Sequence, residues 1–201
     1  MIVLGLASLA TAWATFQAAL YDGKQAASYA EGQSLRTEAE SLYLEANQQY
    51  TQDAATLGRL AELRIAADAG DAVAQAQYDE LAFMNVSDDL AAAIERADEA
   101  NAADPVYYTS PLADEEYQHA LFGGYAETAE IAEQILVQGQ EFSALSDRLK
   151  LATTVLAISL FLLGIAAVVR RYSIKTALTL GGSAILVLGI VWTLAVPTTW
   201  L

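Results

Sequence analysis

The chain has 201 residues, of which 55% are hydrophobic, and it carries a formal net charge of −15 and no cysteine. Without cysteine, this sequence forms no disulfide bond and offers no cysteine for a lipid anchor. Its charges are segregated, because all 25 Asp and Glu and seven of the ten Lys and Arg lie between Tyr21 and Leu151. This segregation excludes an ordinary soluble domain and is typical of a membrane protein.

Three segments of the chain contain no charged residue, namely 2–20, 151–169 and 176–201. At a rise of about 1.5 Å per residue, a helix of each length crosses a hydrocarbon layer of about 30 Å. A helix also satisfies its own backbone hydrogen bonds, for which lipid offers no partners. We therefore predict an all-α integral membrane protein with transmembrane helices at 1–21, 151–169 and 176–201.

The first apolar segment carries two stripes of small residues. No basic residue precedes Ile2, as the start of a signal peptide requires, so we expect an anchor that is not cleaved. Small residues at helical spacing let helices approach closely, which favours a packing seam with Trp13 as its anchor. The alternative is that Thr11, Thr15 and Gln17 line a conduit in an oligomer. One stripe comprises Ala7, Thr11 and Thr15, and the other comprises Ala10, Ala14 and Ala18.

The acidic segment 22–150 begins with a pattern typical of one long helix. Apolar or small residues share one helix face at positions 35, 39, 42, 46, 50, 57 and 60. No proline interrupts this stretch. We therefore expect the first span to continue as a single helix to about Ala69.

The rest of the acidic segment is also predicted to be helical. Two shorter helices are expected at about 72–84 and 88–103, the second capped by the hydroxyl of Ser87. The Ser-Pro pair at 110–111 is a favourable helix start. The helix that begins there is predicted to continue into the second span, with a kink or an interruption at 122–124. These elements predict an up-and-down helical bundle, coiled-coil-like, as the extracytoplasmic domain.

A short basic segment, 170–175, separates the second and third spans. Positive charges close to membrane spans favour the cytoplasmic side, so Arg170, Arg171 and Lys175 are predicted to lie in the cytoplasm. The N-terminus is then cytoplasmic and 22–150 is extracytoplasmic. In the third span, three glycines are expected to form a second close-contact surface, and two tryptophans suit the outer interface. These residues are Gly181, Gly182, Gly189, Trp192 and Trp200.

The sequence has few residues suited to catalysis. His119 is its one histidine, and Glu115 shares a helix face with it, which is more typical of a surface pair than of a metal site. We predict no catalytic residue, cofactor or metal. The spans contain no ionisable residue, which argues against a pump or a proton-coupled carrier. A tyrosine patch either packs the end of the bundle or binds a ligand or partner, and comprises Tyr107, Tyr108, Tyr117 and Tyr125.

Short motifs give the chain a resemblance to a group of small bacterial membrane proteins of unknown function. The first span reads Thr11-Ala12-Trp13 and Phe16-Gln17-Ala18, and a polar helix follows with Gly23-Lys24-Gln25-Ala26. Ser110-Pro111 precedes Glu116-Tyr117, and two spans close the chain. The resemblance implies a bacterial inner-membrane protein and brings no activity with it. The start departs from the group, whose members usually carry a charged cytoplasmic N-terminus.

Three functional hypotheses follow from these patterns. The leading one is a non-enzymatic membrane protein that self-assembles, or serves as a subunit or scaffold of a complex, through its helical ectodomain. The second is a homo-oligomeric channel lined by the first span. The third is an extracytoplasmic sensory module that binds a ligand and signals through a partner. The expected partners are membrane lipid and either further copies or another membrane protein, whereas the acidic charge disfavours nucleic acid.

Overall fold

The computed structural model describes residues 2–104 and 106–199. Within them the protein is 90% helical and has no β-strand. The elements are α1 (Ile2–Asp68), α2 (Ala72–Asn85), α3 (Asp88–Ala103), a 3₁₀ turn (Pro111–Ala113), α4 (Glu115–Val168) and α5 (Tyr172–Ala195). Among these described elements, three helices, α1, α4 and α5, are long and apolar enough to cross a membrane.

The expected long helix is confirmed, because α1 runs without interruption to Asp68. It ends where Gly70 adopts φ +97°, a left-handed conformation that favours glycine and closes a helix. Asp71 then caps α2 by accepting hydrogen bonds from two backbone amides. Ser87 caps α3 as predicted, since its hydroxyl accepts from the amide of Leu90 at 3.2 Å.

Helix α4 starts later than the Ser-Pro pair at 110–111 predicts. Ser110 and Pro111 open only a single 3₁₀ turn, and the hydroxyl of Ser110 makes no capping bond. The side chain of Asp114 provides that bond instead, accepting from the amide of Tyr117 at 2.9 Å. A carboxylate suits the positive end of a helix, so α4 begins at Glu115. The interruption predicted at 122–124 is wrong, because α4 is continuous there.

The connection between α4 and α5 is shorter than the loop predicted at 170–175. Only residues 169–171 separate α4 from α5, and Lys175 already bonds through its amide to the carbonyl of Arg171. The segment contains neither glycine nor proline, so nothing prevents a helix from starting at Tyr172. At the other end α5 stops at Ala195, before Pro197, rather than continuing to 201. Trp200, expected at the outer interface, lies outside the described residues.

The chain divides into two compact units, to which α1 and α4 both contribute. Unit 1 comprises the described residues up to Gln33 and those from Glu133 onwards, and unit 2 is Ser34–Ala132. The core of unit 1 joins the three apolar helices, since Ala7 and Ala14 of α1 meet Leu156 of α4 and Leu186 of α5. Many of the buried positions recur at steps of three, four or seven residues along each helix.

Unit 2 has its own core around one tyrosine. Tyr117 of α4 packs against Leu90 and Ala93 of α3, and all three are fully buried. Partly buried side chains from α1, α3, the 3₁₀ turn and α4 surround this centre. They include Tyr50, Leu57, Ile94, Leu112 and Leu121.

Candidate functional site

The small-residue seams of unit 1 are filled by side chains of the same chain. A Cβ atom added to Gly189 would lie 2.6 Å from Cδ2 of Leu156, and one added to Gly182 would lie 2.9 Å from Cγ of Leu163. Distances this short leave no room for a methyl group, so these two glycines mark where helices approach closely. Gly181 differs, because no atom lies within 4 Å of its Cβ position.

The buried seam also contains a polar contact between α4 and α5. The hydroxyl of Ser159 donates to the carbonyl of Gly182 at 2.7 Å, and both residues are buried. In a helix that faces lipid, such a hydrogen bond has no competing water and fixes the register of two helices. Glycine at 182 allows the approach on which the bond depends.

Gln17 holds the segment that follows α5. Its side-chain oxygen accepts from the amide of Thr199 at 2.9 Å, and its side-chain nitrogen donates to the carbonyl of Thr199 at 3.2 Å. Four residues on, the hydroxyl of Tyr21 donates to the carbonyl of Pro197 at 2.7 Å. Lys24 donates to the hydroxyl of Thr199. One face of α1 thus binds a stretch of backbone that Pro197 keeps out of a helix.

The other polar residues of the first span bond within their own helix. The hydroxyl of Thr11 donates to the carbonyl of Ala7 at 2.8 Å, and that of Thr15 donates to the carbonyl of Thr11 at 2.9 Å. Thr15 is exposed and Ala7 is buried. Trp13 lies beside Phe16, with ring centroids 6.1 Å apart.

The four tyrosines of the predicted patch do not form one cluster. Tyr107 and Tyr108 are 75% and 82% exposed. Tyr117 is buried in the core, and Tyr125 packs on Tyr43 with ring centroids 5.3 Å apart. Sequence spacing placed them near one loop, but helix α4 turns Tyr117 inwards and Tyr125 towards α1.

Tyr117 belongs to a buried polar cluster that the sequence analysis did not identify. Its hydroxyl donates to Oδ2 of Asp53 at 2.7 Å, while Gln49 donates to Oδ1 of the same carboxylate at 2.9 Å. Asp53 is only 1% exposed. Burial is the main cause that raises the pKa of the Tyr117 phenol well above its ordinary value, and the adjacent Asp53 carboxylate raises it further. The phenol therefore stays a neutral donor throughout the physiological pH range.

A second cluster ties α3 to the start of α4. Nε of Arg96 donates to Oδ2 of Asp114 at 2.8 Å, and Nη2 donates to Oδ1 at 2.5 Å, which is a bidentate pair. Nη1 of Arg96 also lies 3.0 Å from Glu116. The Arg96 guanidinium and the amide of Tyr117 lower the pKa of Asp114 to about 2.

A groove opens on unit 2 beside the tyrosine core. Its volume is about 470 Å³, within the range of small-molecule sites. Apolar side chains make up part of its lining, and so do Arg64 and Asp98, with Nη1 of Arg64 4.0 Å from Oδ2 of Asp98. The lining residues are Leu57, Gly58, Leu60, Ala61, Arg64, Tyr78, Ile94, Asp98, Tyr108, Ser110, Pro111 and Leu112.

Comparison of the chain with known protein families, with curated proteins and with solved structures gives no match.

The remaining predicted residues have simple surroundings. Arg170 and Arg171 are exposed at the junction of α4 and α5, and Lys175 is exposed in the first turn of α5. The imidazole of His119 lies over Gly123, one helical turn along α4, where a Cβ would be 2.6 Å from Nδ1. Within residues 2–104 and 106–199, no three His, Asp or Glu side chains converge as a metal site would require.

Proposed function

We propose that this chain is a non-enzymatic, multi-pass membrane protein that self-assembles or acts as a scaffolding subunit of a membrane complex. The observation that carries the proposal is an uncovered pair of large apolar side chains at the end of α2. Phe83 is 90% exposed and Met84 is 70% exposed. Covering such side chains contributes roughly 1.5–3 kcal/mol each, so adjacent exposed ones favour a binding partner.

The burial within unit 1 favours unit 2 as the assembly surface. Several small residues that would otherwise let spans of different chains pack closely are buried by neighbours in the same chain, namely Ala7, Ala14, Gly182 and Gly189. The exposed apolar side chains of the spans can face lipid, whereas Phe83, Met84 and Tyr107 of unit 2 lie outside the spans and are left uncovered. The proposed surface therefore lies outside the apolar spans.

The proposed setting is a bacterial inner membrane, as the resemblance of the sequence motifs implies. The three basic residues around the α4–α5 junction are placed in the cytoplasm by the positive-inside rule. The N-terminus is then cytoplasmic, and 22–150 forms an acidic, extracytoplasmic domain built as a helical bundle with coiled-coil-like packing. Three apolar helices are compatible with this multi-pass arrangement.

The channel hypothesis has less support from the contacts. The side-chain amide of Gln17 is engaged with the backbone of Thr199, and Thr11 and Thr15 donate to carbonyls of their own helix. A pore lined by the first span would have to rely on threonine oxygens that keep a free lone pair. The scaffold hypothesis does not require these threonine oxygens to accept further hydrogen bonds.

Native mass spectrometry of the full-length protein, released in mild detergent from its native membrane, tests the proposal. We expect a complex of defined stoichiometry, either with further copies or with a second membrane protein. The double variant Phe83→Gln/Met84→Gln should dissociate that complex while the helical content stays unchanged. Gln77→Ala, an exposed polar change on the same helix, is the matched control and should leave it intact. A monomer without a partner would refute the proposal.

A further inference from the structure

The groove on unit 2 is lined by residues from four parts of the chain: α1, α2, α3 and the segment before α4. Three of its apolar lining residues, Leu57, Ile94 and Leu112, also pack on the core around Tyr117. The packed core therefore supports this part of the groove, as expected for a pre-formed small-molecule site.

Two opposite charges line the same groove. Arg64 and Asp98 are separated by 4.0 Å, and their side chains are 62% and 64% exposed. An exposed pair at this distance contributes little to stability, so each charge can be transferred to an occupant at small cost. Tyr78 and Tyr108 line the same groove, so two aromatic side chains are available there for contact with a cation.

Gly58 lies in the interior of α1, where glycine is about 1 kcal/mol less favourable than alanine. No atom lies within 4 Å of its Cβ position, so the packing of this chain does not require a glycine. The same residue lines the groove. The absence of a side chain at this position leaves the α1 backbone accessible from the groove.

We propose that this groove binds a small zwitterion with an apolar body, of the class of an apolar or aromatic amino acid. Its carboxylate pairs with Arg64, and its ammonium group pairs with Asp98 and faces the tyrosine rings. The apolar body covers Leu57, Ile94 and Leu112 and passes over Gly58. This binding site is independent of the assembly surface at Phe83 and Met84.

Isothermal titration calorimetry of the full-length protein in mild detergent tests the site. The probes are L-phenylalanine, phenethylamine, which lacks the carboxylate, 3-phenylpropionate, which lacks the ammonium group, and L-aspartate, which lacks the apolar body. We expect L-phenylalanine to bind most tightly. Arg64→Gln should weaken the binding of L-phenylalanine and of 3-phenylpropionate by about fivefold and leave that of phenethylamine unchanged. Asp98→Asn should weaken the binding of L-phenylalanine and of phenethylamine by about fivefold and leave that of 3-phenylpropionate unchanged.

A second pair of variants tests the position of the ligand. Gly58→Leu should place a side chain in the groove and weaken the binding of L-phenylalanine by about tenfold or more. Gly23→Leu is the matched control, because Gly23 lies in the same helix and also has no atom within 4 Å of its Cβ position. Circular dichroism verifies that both variants keep their helices. The proposal is overturned if no probe binds at millimolar concentration, or if Gly58→Leu binds L-phenylalanine as the wild type does.

Discussion

At the scale of single residues, Asp53 is a carboxylate on the buried face of a helix and has neutral partners. Its oxygens accept from Tyr117 and Gln49. Removing one partner of a buried acceptor costs about 1–3 kcal/mol, because the other is left without its hydrogen bond. The Tyr117–Asp53 bond joins α4 to α1 through residues 64 positions apart in sequence, so its loss should affect unit 2 as a whole.

The variant Tyr117→Phe measures that contribution while keeping the ring in the core. We expect it to destabilise the protein by about 1–3 kcal/mol, which lowers the thermal midpoint by about 2–4 °C per kcal/mol. Thermal denaturation followed by circular dichroism provides the measurement. Tyr125→Phe is the control, since Tyr125 is partly exposed and should change stability by less than about 0.5 kcal/mol. Equal effects of the two variants would show that the Asp53 bond is energetically unimportant.

The glycines of α5 allow a comparison between neighbouring positions. A methyl group at Gly189 meets Leu156 at 2.6 Å, whereas one at Gly181 meets no atom within 4 Å. Overpacking a tight contact costs about 1–3 kcal/mol, and replacing glycine in a helix gains up to about 1 kcal/mol. Gly189→Ala should therefore lower the thermal midpoint in detergent, and Gly181→Ala should leave it unchanged or raise it. If both variants behave alike, the close approach at Gly189 is not what holds α5 in place.

At the scale of elements, the junction of α3 and α4 depends on one carboxylate. Asp114 caps α4 and binds Arg96 of α3, and its pKa is lowered to about 2 from the ordinary value of 3.8. A carboxylate whose pKa is lower in the folded protein stabilises the fold fully above its unfolded pKa. That contribution is lost as the pH falls through about 4 towards 2.

The variant Asp114→Asn isolates this contribution from the other acidic residues. The difference in thermal midpoint between wild type and Asp114→Asn should be largest above pH 5 and should shrink as the pH falls from about 4 to 2. Glu38→Gln, an exposed acidic position on α1, is the control and should show no such convergence. A difference that is independent of pH would mean that Asp114 acts by its shape rather than by its charge.

The sequence predicts the helices well and their partners poorly, for physical reasons. Helix α1 is predictable from the sequence because it contains no proline, whereas the predicted third span runs past Pro197, which ends α5 at Ala195. Apolar periodicity does not identify Asp53 because its side chain is charged, although it lies seven residues from both Ala46 and Leu60, which are buried on the same helix. Periodicity cannot show that Gln17 binds Thr199, 182 residues away.

At the scale of the whole molecule, the spans and their orientation can be tested together. The chain contains no cysteine, so a single introduced thiol reports its own side of the membrane. Ser41 and Ser173 are both exposed, the first within the acidic segment and the second at the start of α5. The proposed topology places these two positions on opposite sides.

Ser41→Cys should react with a membrane-impermeant maleimide in intact cells, and Ser173→Cys should react only after the membrane is permeabilised. The physical reason is that Arg170, Arg171 and Lys175 favour the cytoplasm, where basic loops next to spans are retained. The reversed labelling pattern would contradict the orientation but preserve the spans. Labelling of both positions from the same side would contradict the number of spans between them. Ser173→Cys combined with Arg170→Gln and Arg171→Gln should become partly reactive in intact cells, because two of the three charges that set the orientation have been removed.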